Sequence, residues 1–349
     1  MIRDLLTVLR CARPAIALPI ALKDAVACAP AAVRDFERAV EPIVRGVLCE
    51  PERAAMIASL RGTALTFNVG IHAYARMAGR PCDGELVMLA GSVARLYDDM
   101  IDNGGDAEID AWVASLFKAD GLKADGFEAD GFEGDGFEGD GFEGDGFEGD
   151  GFKGDGRPVP RDQHRRLLAA LYAEIRRRAP GELWHTALLE LHDYQVLSRR
   201  QRDPATPAAQ LGKIARGKGG LACVVLFGMV HPDMSVVQRD AVMEAGEALQ
   251  LLDDYLDQDA DLRDGIGTPL NRGEVSLAEV GARLRALRPR LAACYGRAAA
   301  RPFAATLLLV LVADVLKRHR RGRGRTTTDT PLGLLLAGGT HAIPPKRAS

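Results

Sequence analysis

Apolar residues recur every three or four positions along much of the chain, which is the period of an amphipathic α-helix. In one such run, Asp83 stands where an N-cap is expected and Asn103-Gly104-Gly105 provides a strong termination signal. The apolar positions between them are Leu86, Leu89, Val93, Leu96, Tyr97, Met100 and Ile101. The pattern predicts one helix that begins after Asp83 and ends near Asn103.

A second helical run follows Ser235, which is a suitable N-cap residue. Its apolar positions are Val242, Met243, Leu249, Leu252, Tyr255 and Leu256. Two further apolar stretches, residues 15–22 and 304–316, are too short to span a bilayer. The second of these also contains Asp314, and we expect it to form a core helix.

Composition extends this picture to the whole chain. Of the 349 residues, 47% are hydrophobic but only 5% are aromatic, and alanine, leucine and arginine dominate. Because strands draw on β-branched and aromatic residues, this composition predicts an all-α fold. The six cysteines form no CxxC pair and indicate neither a zinc site nor a disulfide framework, so we expect a cytoplasmic protein.

Residues 121–155 interrupt the helical pattern with seven pentads, most of them GFEGD. The segment carries twelve acidic and two basic residues, a local charge of −10 that leaves +7 on the remainder of a chain whose net charge is −3. Frequent glycine and the lack of an apolar face predict a disordered insertion. The expected organisation is therefore helices over 1–120, the insertion over 121–155, further helices over 156–325 and a C-terminal tail over 326–349.

Aspartate clusters stand at the ends of both predicted helices. LYDDMIDN contains Asp98, Asp99 and Asp102, and LLDDYLDQDAD contains Asp253, Asp254, Asp257 and Asp261. Carboxylates three or four residues apart on one helix repel each other, and the helix dipole disfavours them at this end. Magnesium would reverse that cost, because it takes oxygen ligands and joins carboxylates to substrate phosphates. For either cluster alone a solvated helix end is the alternative, but the repetition favours a metal site.

These stretches resemble the two aspartate-rich motifs of the class I isoprenoid enzymes, especially the trans-prenyl diphosphate synthases. The first match is DDMID at 98–102, and the second is GEALQLLDDYLDQDAD at 246–261, which includes Gln250. In addition, ARGKGG places Lys218 much where the family has a lysine that binds diphosphate. The family follows this lysine with Thr or Ser, whereas this chain has Gly219. The resemblance covers about residues 60–280.

The resemblance implies a single-domain antiparallel bundle of α-helices in which the two aspartate helices face each other across a central pocket. It implies that Lys218 and Gln250 bind the diphosphate of a prenyl substrate, which leaves as pyrophosphate, and it allows a homodimer. We expect no nucleic-acid partner and no membrane span. The family's catalytic ligands for three magnesium ions correspond here to Asp98, Asp99, Asp102, Asp253, Asp254 and Asp257.

Chain-elongating members of the family also bind isopentenyl diphosphate through two basic motifs, and neither is present. NGGDAEIDAW after Asp102 is acidic, and residues 54–80 contain only Arg61, Arg76 and Arg80 as cations. This departure favours a terpene synthase-like cyclase with one substrate. The alternatives are a divergent chain-elongating synthase and a non-catalytic interaction protein that uses the acidic repeat, although the intact aspartates argue against the latter.

Several further residues have more than one interpretation. In the synthases, residues one turn before the first aspartates line the pocket wall and limit chain length, and the resemblance puts Ala90, Val93 and Ala94 at those positions. Their small size predicts a deep pocket for a chain of fifteen to twenty carbons or longer. Lys213 and Lys218 lie on opposite sides of a predicted glycine-containing turn, and Lys213 is the weaker candidate for a phosphate contact. The remaining open cases are SRRQRD at 198–203, KRHRRGRGR at 317–325, and the aromatic residues Tyr97, Phe227 and Tyr255, which would face a carbocation or pack in the core.

Overall fold

A computed structural model describes residues 18–50, 52–104, 107–118 and 161–321, and within these ranges the protein contains helices and no strand. The predicted all-α class is therefore confirmed. The helices are α1 (Leu18–Ala39), α2 (Glu41–Val47), α3 (Glu52–Ala78), α4 (Gly84–Gly104), α5 (Ala107–Lys118), α6 (Arg161–Arg178), α7 (Glu182–Ser198), a 3₁₀ turn (Arg199–Arg202), α8 (Ala208–Val230), α9 (Val236–Arg263), α10 (Leu277–Tyr295) and α11 (Arg297–Arg321).

Both aspartate helices begin at the predicted caps. Asp83 Oδ1 accepts hydrogen bonds from the backbone N–H groups of Glu85 at 3.0 Å and Leu86 at 3.2 Å. Ser235 forms a reciprocal capping box with Gln238 at the start of α9. The predicted core helix at 304–316 lies within α11, where Phe303, Leu307 and Leu311 are buried.

The predicted turn between Lys213 and Lys218 is wrong, because both residues lie in the continuous helix α8. Its glycines are sites of close helix packing. A Cβ atom on Gly217 would lie 2.0 Å from the ring of Tyr194 on α7, and one on Gly219 would lie 2.3 Å from the carbonyl oxygen of Gly246 on α9. Tertiary contact thus offsets the low helix propensity of glycine. As a result, α8 packs tightly between α7 and α9.

The other helices complete one hydrophobic core. α4 packs against α1, α3 and α6, while α11 packs against α1, α3 and α10. Large side chains from separate helices are fully buried in this core, among them Phe36, Tyr74, Tyr172, Trp184 and Phe303. Because the same core contacts both α4 and α9, the two aspartate helices are held in a fixed relation to each other.

Several predictions fall outside the described residues, namely the repeat insertion at 121–155, the C-terminal tail at 326–349 and the first 17 residues. Among the described helices, only α3 is long and apolar enough to cross a membrane by length and composition. Its buried residues Leu60, Ile71 and Tyr74 belong to the core, and a core helix meets the same criterion. This result does not conflict with the expectation of no membrane span.

Candidate functional site

A cavity of about 420 Å³ lies between α3, α4, α6, α7, α8 and α9. Along α7 its lining changes from Trp184, Leu188 and Leu191 to Gln195 and Ser198. Along α8 the lining changes from Met229 and Leu226 to Lys218, so the residue numbers run in the opposite direction to those on α7. The cavity therefore has one apolar end and one polar end. A smaller cavity of about 340 Å³ between α1, α3 and α11 contains none of the residues predicted for the site.

The second aspartate cluster lies at the polar end. Asp253, Asp254, Asp257 and Asp261 all line the cavity. Asp253 is exposed, whereas Asp254 is buried with 7% of its surface accessible. Gln250 Nε2 donates a hydrogen bond of 3.1 Å to Asp254 Oδ1, but Asp254 Oδ2 is buried without a hydrogen-bond partner. An orphaned carboxylate oxygen of this kind is costly for the fold and calls for a functional explanation.

Two of these carboxyl groups have strongly raised pKa values. Burial raises the pKa of Asp254 from 3.8 to about 6, and the Asp257 charge adds to this effect, while the Gln250 hydrogen bond and the Lys218 charge oppose it. Burial and the charges of neighbouring aspartates raise the pKa of Asp261 from 3.8 to about 7. The folded state therefore disfavours the charged forms of Asp254 and Asp261, even though Lys218 opposes both shifts.

The first aspartate cluster divides between two environments. Asp98 lines the cavity, and Gln195 Nε2 donates a 3.0 Å hydrogen bond to its Oδ1. Asp99 instead forms a 2.8 Å ion pair with Arg95 and is not among the residues that line the cavity. The side chain of Asp102 lies outside the described part of the structure. One carboxylate of the first cluster and four of the second therefore share the cavity.

Lys218 and Gln250 lie at the same end as the aspartates. The contact between Gly219 and Gly246 brings α8 and α9 together beside them, since a Cβ atom on Gly219 would also lie 2.5 Å from Gln250 Cβ. This contact gives a physical reason for glycine after the lysine, because a Thr or Ser side chain would force the helices apart. Lys213 is exposed and does not line the cavity.

Two arginines after α7 also line the cavity. Arg199 makes a bidentate ion pair with Asp110 on α5, and its Nη2 approaches the carbonyl oxygen of Ile101 at 3.5 Å. Arg202 is exposed and lines the cavity. Arg200 is exposed and lies outside the lining. The arginine cluster thus contributes one fixed and one exposed cation to the polar end.

The loop after α9 is fastened to the 3₁₀ turn. The backbone N–H of Gly267 donates to the carbonyl oxygen of Gln201 at 2.6 Å, and Gln201 Nε2 donates to the carbonyl oxygen of Gly267 at 3.2 Å. Arg272 donates to the carbonyl oxygens of Thr206 at 2.7 Å and Asp203 at 3.2 Å. Because Ile266 and Thr268 line the cavity, this fastened loop forms part of its polar wall.

The cavity extends along α7, where Trp184 and Gln195 are eleven positions apart, which corresponds to about 16 Å of helix. Its apolar part lies towards Trp184. Ala90, Val93 and Ala94 all line this part, together with Tyr97. Phe227 and Tyr255 are buried outside the lining, and Phe227 stacks on Tyr74 with ring centroids 4.2 Å apart. Of the three aromatic candidates, only Tyr97 is thus positioned to face a bound molecule.

No three His, Cys, Asp or Glu side chains in the described ranges, which exclude the Asp102 side chain, lie close enough to hold a metal ion by themselves. Magnesium does not require such a set, because it commonly binds one or two carboxylates together with water and substrate phosphate. The unpartnered Asp254 Oδ2 and the raised pKa values of Asp254 and Asp261 are compatible with a cation at this end. A metal ion at this end would therefore need further ligands from water and a bound phosphate.

Several residues that line the cavity, among them Gln195, Asp261, Arg202 and Arg95, are not predicted as site residues by the sequence. Gln195 is buried, contacts Asp98 and leaves its own Oε1 without a hydrogen-bond partner. Asp261 extends the second cluster by one helical turn, a signal that the four-residue spacing from Asp257 already contained. The sequence contains no signal that distinguishes Arg202, which lines the cavity, from Arg200, which does not.

Comparison of the sequence with protein-family models and with curated proteins gives no match. The fold and the site therefore define only a type of architecture. The described residues form an all-helical protein whose cavity has an apolar end and an end that contains five aspartates.

Proposed function

We propose that the protein is a magnesium-dependent enzyme that ionises an allylic prenyl diphosphate and cyclises the resulting cation. The observation that carries this proposal is the distribution of groups in one cavity. Asp98 from α4 and Asp253, Asp254, Asp257 and Asp261 from α9 share its polar end with Lys218, and an apolar channel extends from that end. A prenyl diphosphate is likewise charged at one end and apolar along its hydrocarbon chain.

At the polar end, the residues of the chain would bind and orient the diphosphate. Lys218 and Arg202 supply positive charge, and Gln250 and Gln195 hold the carboxylates of Asp254 and Asp98 in position. Asp98, Asp253, Asp254 and Asp257, with Asp99 and Asp102 by resemblance, would hold the metal. Magnesium, when bound there with the diphosphate, would neutralise the charge that develops on the leaving group.

The reaction then follows from the chemistry of the substrate. The allylic C–O bond breaks, its electron pair leaves with pyrophosphate, and the positive carbon takes the π electrons of another double bond in the same chain. Loss of a proton to pyrophosphate or water, or addition of water followed by loss of a proton, then gives a neutral product. Leu188, Leu191, Val225 and Leu226 would exclude water from the cation during these steps.

The cations available for a second diphosphate support one substrate over two. Arg61 pairs with Glu41, Arg76 pairs with Asp24 at 2.6 Å, and Arg80 pairs with Asp233. None of these three arginines lines the cavity, where α3 instead presents Thr63, Thr66 and Phe67. We therefore favour cyclisation over chain elongation.

Product analysis distinguishes these reactions. Purified protein would be incubated with Mg²⁺ and prenyl diphosphates of ten, fifteen and twenty carbons, with and without isopentenyl diphosphate. A hydrocarbon or alcohol from a single substrate is the expected result. A longer diphosphate that forms only in the presence of isopentenyl diphosphate would instead identify a chain-elongating synthase, and the absence of pyrophosphate release from every substrate would rule out both.

Replacing Lys218 with methionine is expected to lower kcat/KM for pyrophosphate release by about 10- to 100-fold, because a charge-assisted contact to phosphate contributes about 1.5–3 kcal/mol. Lys213→Met is the matched control, since Lys213 is exposed on the same helix and does not line the cavity. Steady-state kinetics would measure both. Equal losses in the two variants would exclude Lys218 from the diphosphate site.

Ala94→Phe is expected to shorten the longest accepted substrate by at least one five-carbon unit, since the new ring would occupy the channel. At ordinary bond lengths such a unit spans roughly 5 Å, so about 16 Å of channel suits about three units. Comparing kcat/KM across the three chain lengths measures the effect. Ala58→Phe, at an exposed position of α3, is the control. An unchanged substrate range in Ala94→Phe would show that this wall does not limit chain length.

A further inference from the structure

The last two helices concentrate positive charge. Residues 277–321, which span α10 and α11, contain ten Lys and Arg residues and two acidic residues, a local charge of +8 in a chain whose net charge is −3. The rest of the chain therefore carries −11. The repeat at 121–155 accounts for −10 of this, so the remaining residues together carry only −1. A basic segment of this kind is typical of proteins that bind an anionic surface.

On α10 the core side and the outer side are distinct. Val280, Leu284, Leu287 and Leu291 are buried, whereas all four arginines of the helix are exposed. Arg283 forms a 2.5 Å ion pair with Glu247, and Arg290 pairs with Glu244, so these two arginines are turned towards α9. α10 thus lies against the core with an arginine-bearing outer surface.

Four exposed arginines make no ion pair with any described residue. Arg285 and Arg288 lie one turn apart on α10, and Arg297 and Arg301 lie one turn apart on α11. Only Gly296, with a φ of 84°, separates the two helices, which pack against each other. We call these four residues the arginine face. No described acidic side chain offsets their charge, which is therefore available to an external anion.

Two exposed valines lie at the end of the same helix pair. Val236 and Val237, in the first turn of α9, expose 76% and 68% of their surface. Cys294 Sγ lies 3.9 Å from the carbonyl oxygen of Val237, which places the valines beside the C-terminal end of α10. Cys294 precedes Arg297 by only three residues, so exposed apolar side chains and an exposed arginine occur near the same helix end. This combination suits the interface of a lipid bilayer, where both kinds of side chain are stabilised. Nucleic acid would interact favourably with the arginines but not with the exposed valines.

We propose that the arginine face and the adjacent valines dock the protein on a membrane that contains anionic lipids. This inference goes beyond the proposed function and does not depend on it. Each arginine near an anionic bilayer contributes roughly fivefold to partitioning, so four of them with two apolar side chains are sufficient for reversible binding. Binding of this kind is weakened by salt because the charges are exposed.

Co-sedimentation of the full-length chain with vesicles tests the proposal. The vesicles would consist of phosphatidylcholine alone or with about one quarter phosphatidylglycerol, at low and at high salt. We expect binding to the anionic vesicles at low salt only. Arg285→Glu/Arg288→Glu should lower the partition coefficient at least about tenfold, and Val236→Ser/Val237→Ser should lower it several-fold. Arg34→Glu/Arg166→Glu, which changes exposed arginines on α1 and α6 by the same total charge, should change it less than about twofold.

Three outcomes would overturn the proposal. One is equal binding of the wild-type chain to both kinds of vesicle, or binding to neither. Another is an equal loss in the two charge-reversed pairs, which would indicate a general charge effect rather than a docking face. The third is retention of a DNA duplex by the wild-type chain that is lost in Arg285→Glu/Arg288→Glu while vesicles are not bound, which would identify the face as a nucleic-acid surface.

Discussion

Asp254→Asn is expected to abolish at least about 99% of pyrophosphate release and at the same time to stabilise the metal-free protein. Loss of activity follows because Asp254 is a proposed metal ligand on the cavity wall and its Oδ2 is buried without a partner. The gain in stability follows because the folded state disfavours its charge. Burial raises its pKa from 3.8 to about 6.

The pH dependence of this gain has a definite sign. A carboxyl group with a raised pKa in the folded state destabilises the fold as pH rises from about 4 through about 6, and the full cost remains at higher pH. A shift of roughly two pKa units corresponds to about 3 kcal/mol at most. In the presence of EDTA, Asp254→Asn should therefore unfold at a higher temperature than the wild type at pH 8, and the difference should disappear near pH 4.

Thermal unfolding at the two pH values, with pyrophosphate release measured in parallel, would test this prediction. Asp240→Asn is the matched control, because Asp240 is exposed near the start of α9 and does not line the cavity. It should change neither quantity appreciably. Full activity in Asp254→Asn would remove this residue from the site, and a lower melting temperature at pH 8 would show that its charge is compensated in the fold.

Gly246→Ala is expected to lower the free energy of unfolding by about 2–4 kcal/mol, because the added methyl group meets backbone rather than a flexible side chain. Its Cβ would lie 2.1 Å from the carbonyl oxygen of Gly219 and 2.8 Å from Gly220 Cα. The two helices must therefore separate, which moves Lys218 away from Gln250 and Asp254. A displacement of about 1 Å in a catalytic site can cost about 100-fold in rate, and we expect a loss of that size in kcat/KM.

The control for this variant is Gly212→Ala on α8, where no atom lies within 4 Å of the position of a new Cβ. Because alanine is the better helix former, this change should stabilise the protein by about 0.5–1 kcal/mol and leave kinetics unaltered. Denaturant unfolding and steady-state kinetics would measure both variants. If Gly246→Ala were as stable and as active as the control, close packing of α8 and α9 would not determine the site.

Local signals in the sequence were sufficient to predict the helices that carry the aspartates. The caps at Asp83 and Ser235 depend on hydrogen bonds within a few residues, and the structure contains both. The sequence pattern predicts a turn at the glycines of α8, and this prediction is wrong. Their role depends on contacts with Tyr194 and Gly246, which belong to other helices. Propensity alone cannot distinguish a glycine that ends a helix from one that allows another helix to approach.

The same limit applies to the site. Spacing indicates which aspartates share a helix face, but it does not show that Asp254 is buried. Nor does it show that Asp99, which pairs with the cavity-lining Arg95, does not line the cavity itself. Gln195 could not be selected from the sequence, because its contact with Asp98 joins residues 97 positions apart on α7 and α4. Contacts of this kind depend on how helices pack and not on the pattern within any one helix.

The central claim is that carboxylates from α4 and α9 bind pyrophosphate through magnesium at one end of the cavity. Isothermal titration calorimetry of inorganic pyrophosphate into the protein, with Mg²⁺ or with EDTA, measures this binding without any assumption about the hydrocarbon chain. We expect binding only with Mg²⁺, and marked weakening in Asp98→Asn and in Asp253→Asn alike. Equal affinity in EDTA, or Mg²⁺-dependent binding that neither substitution affects, would contradict the account.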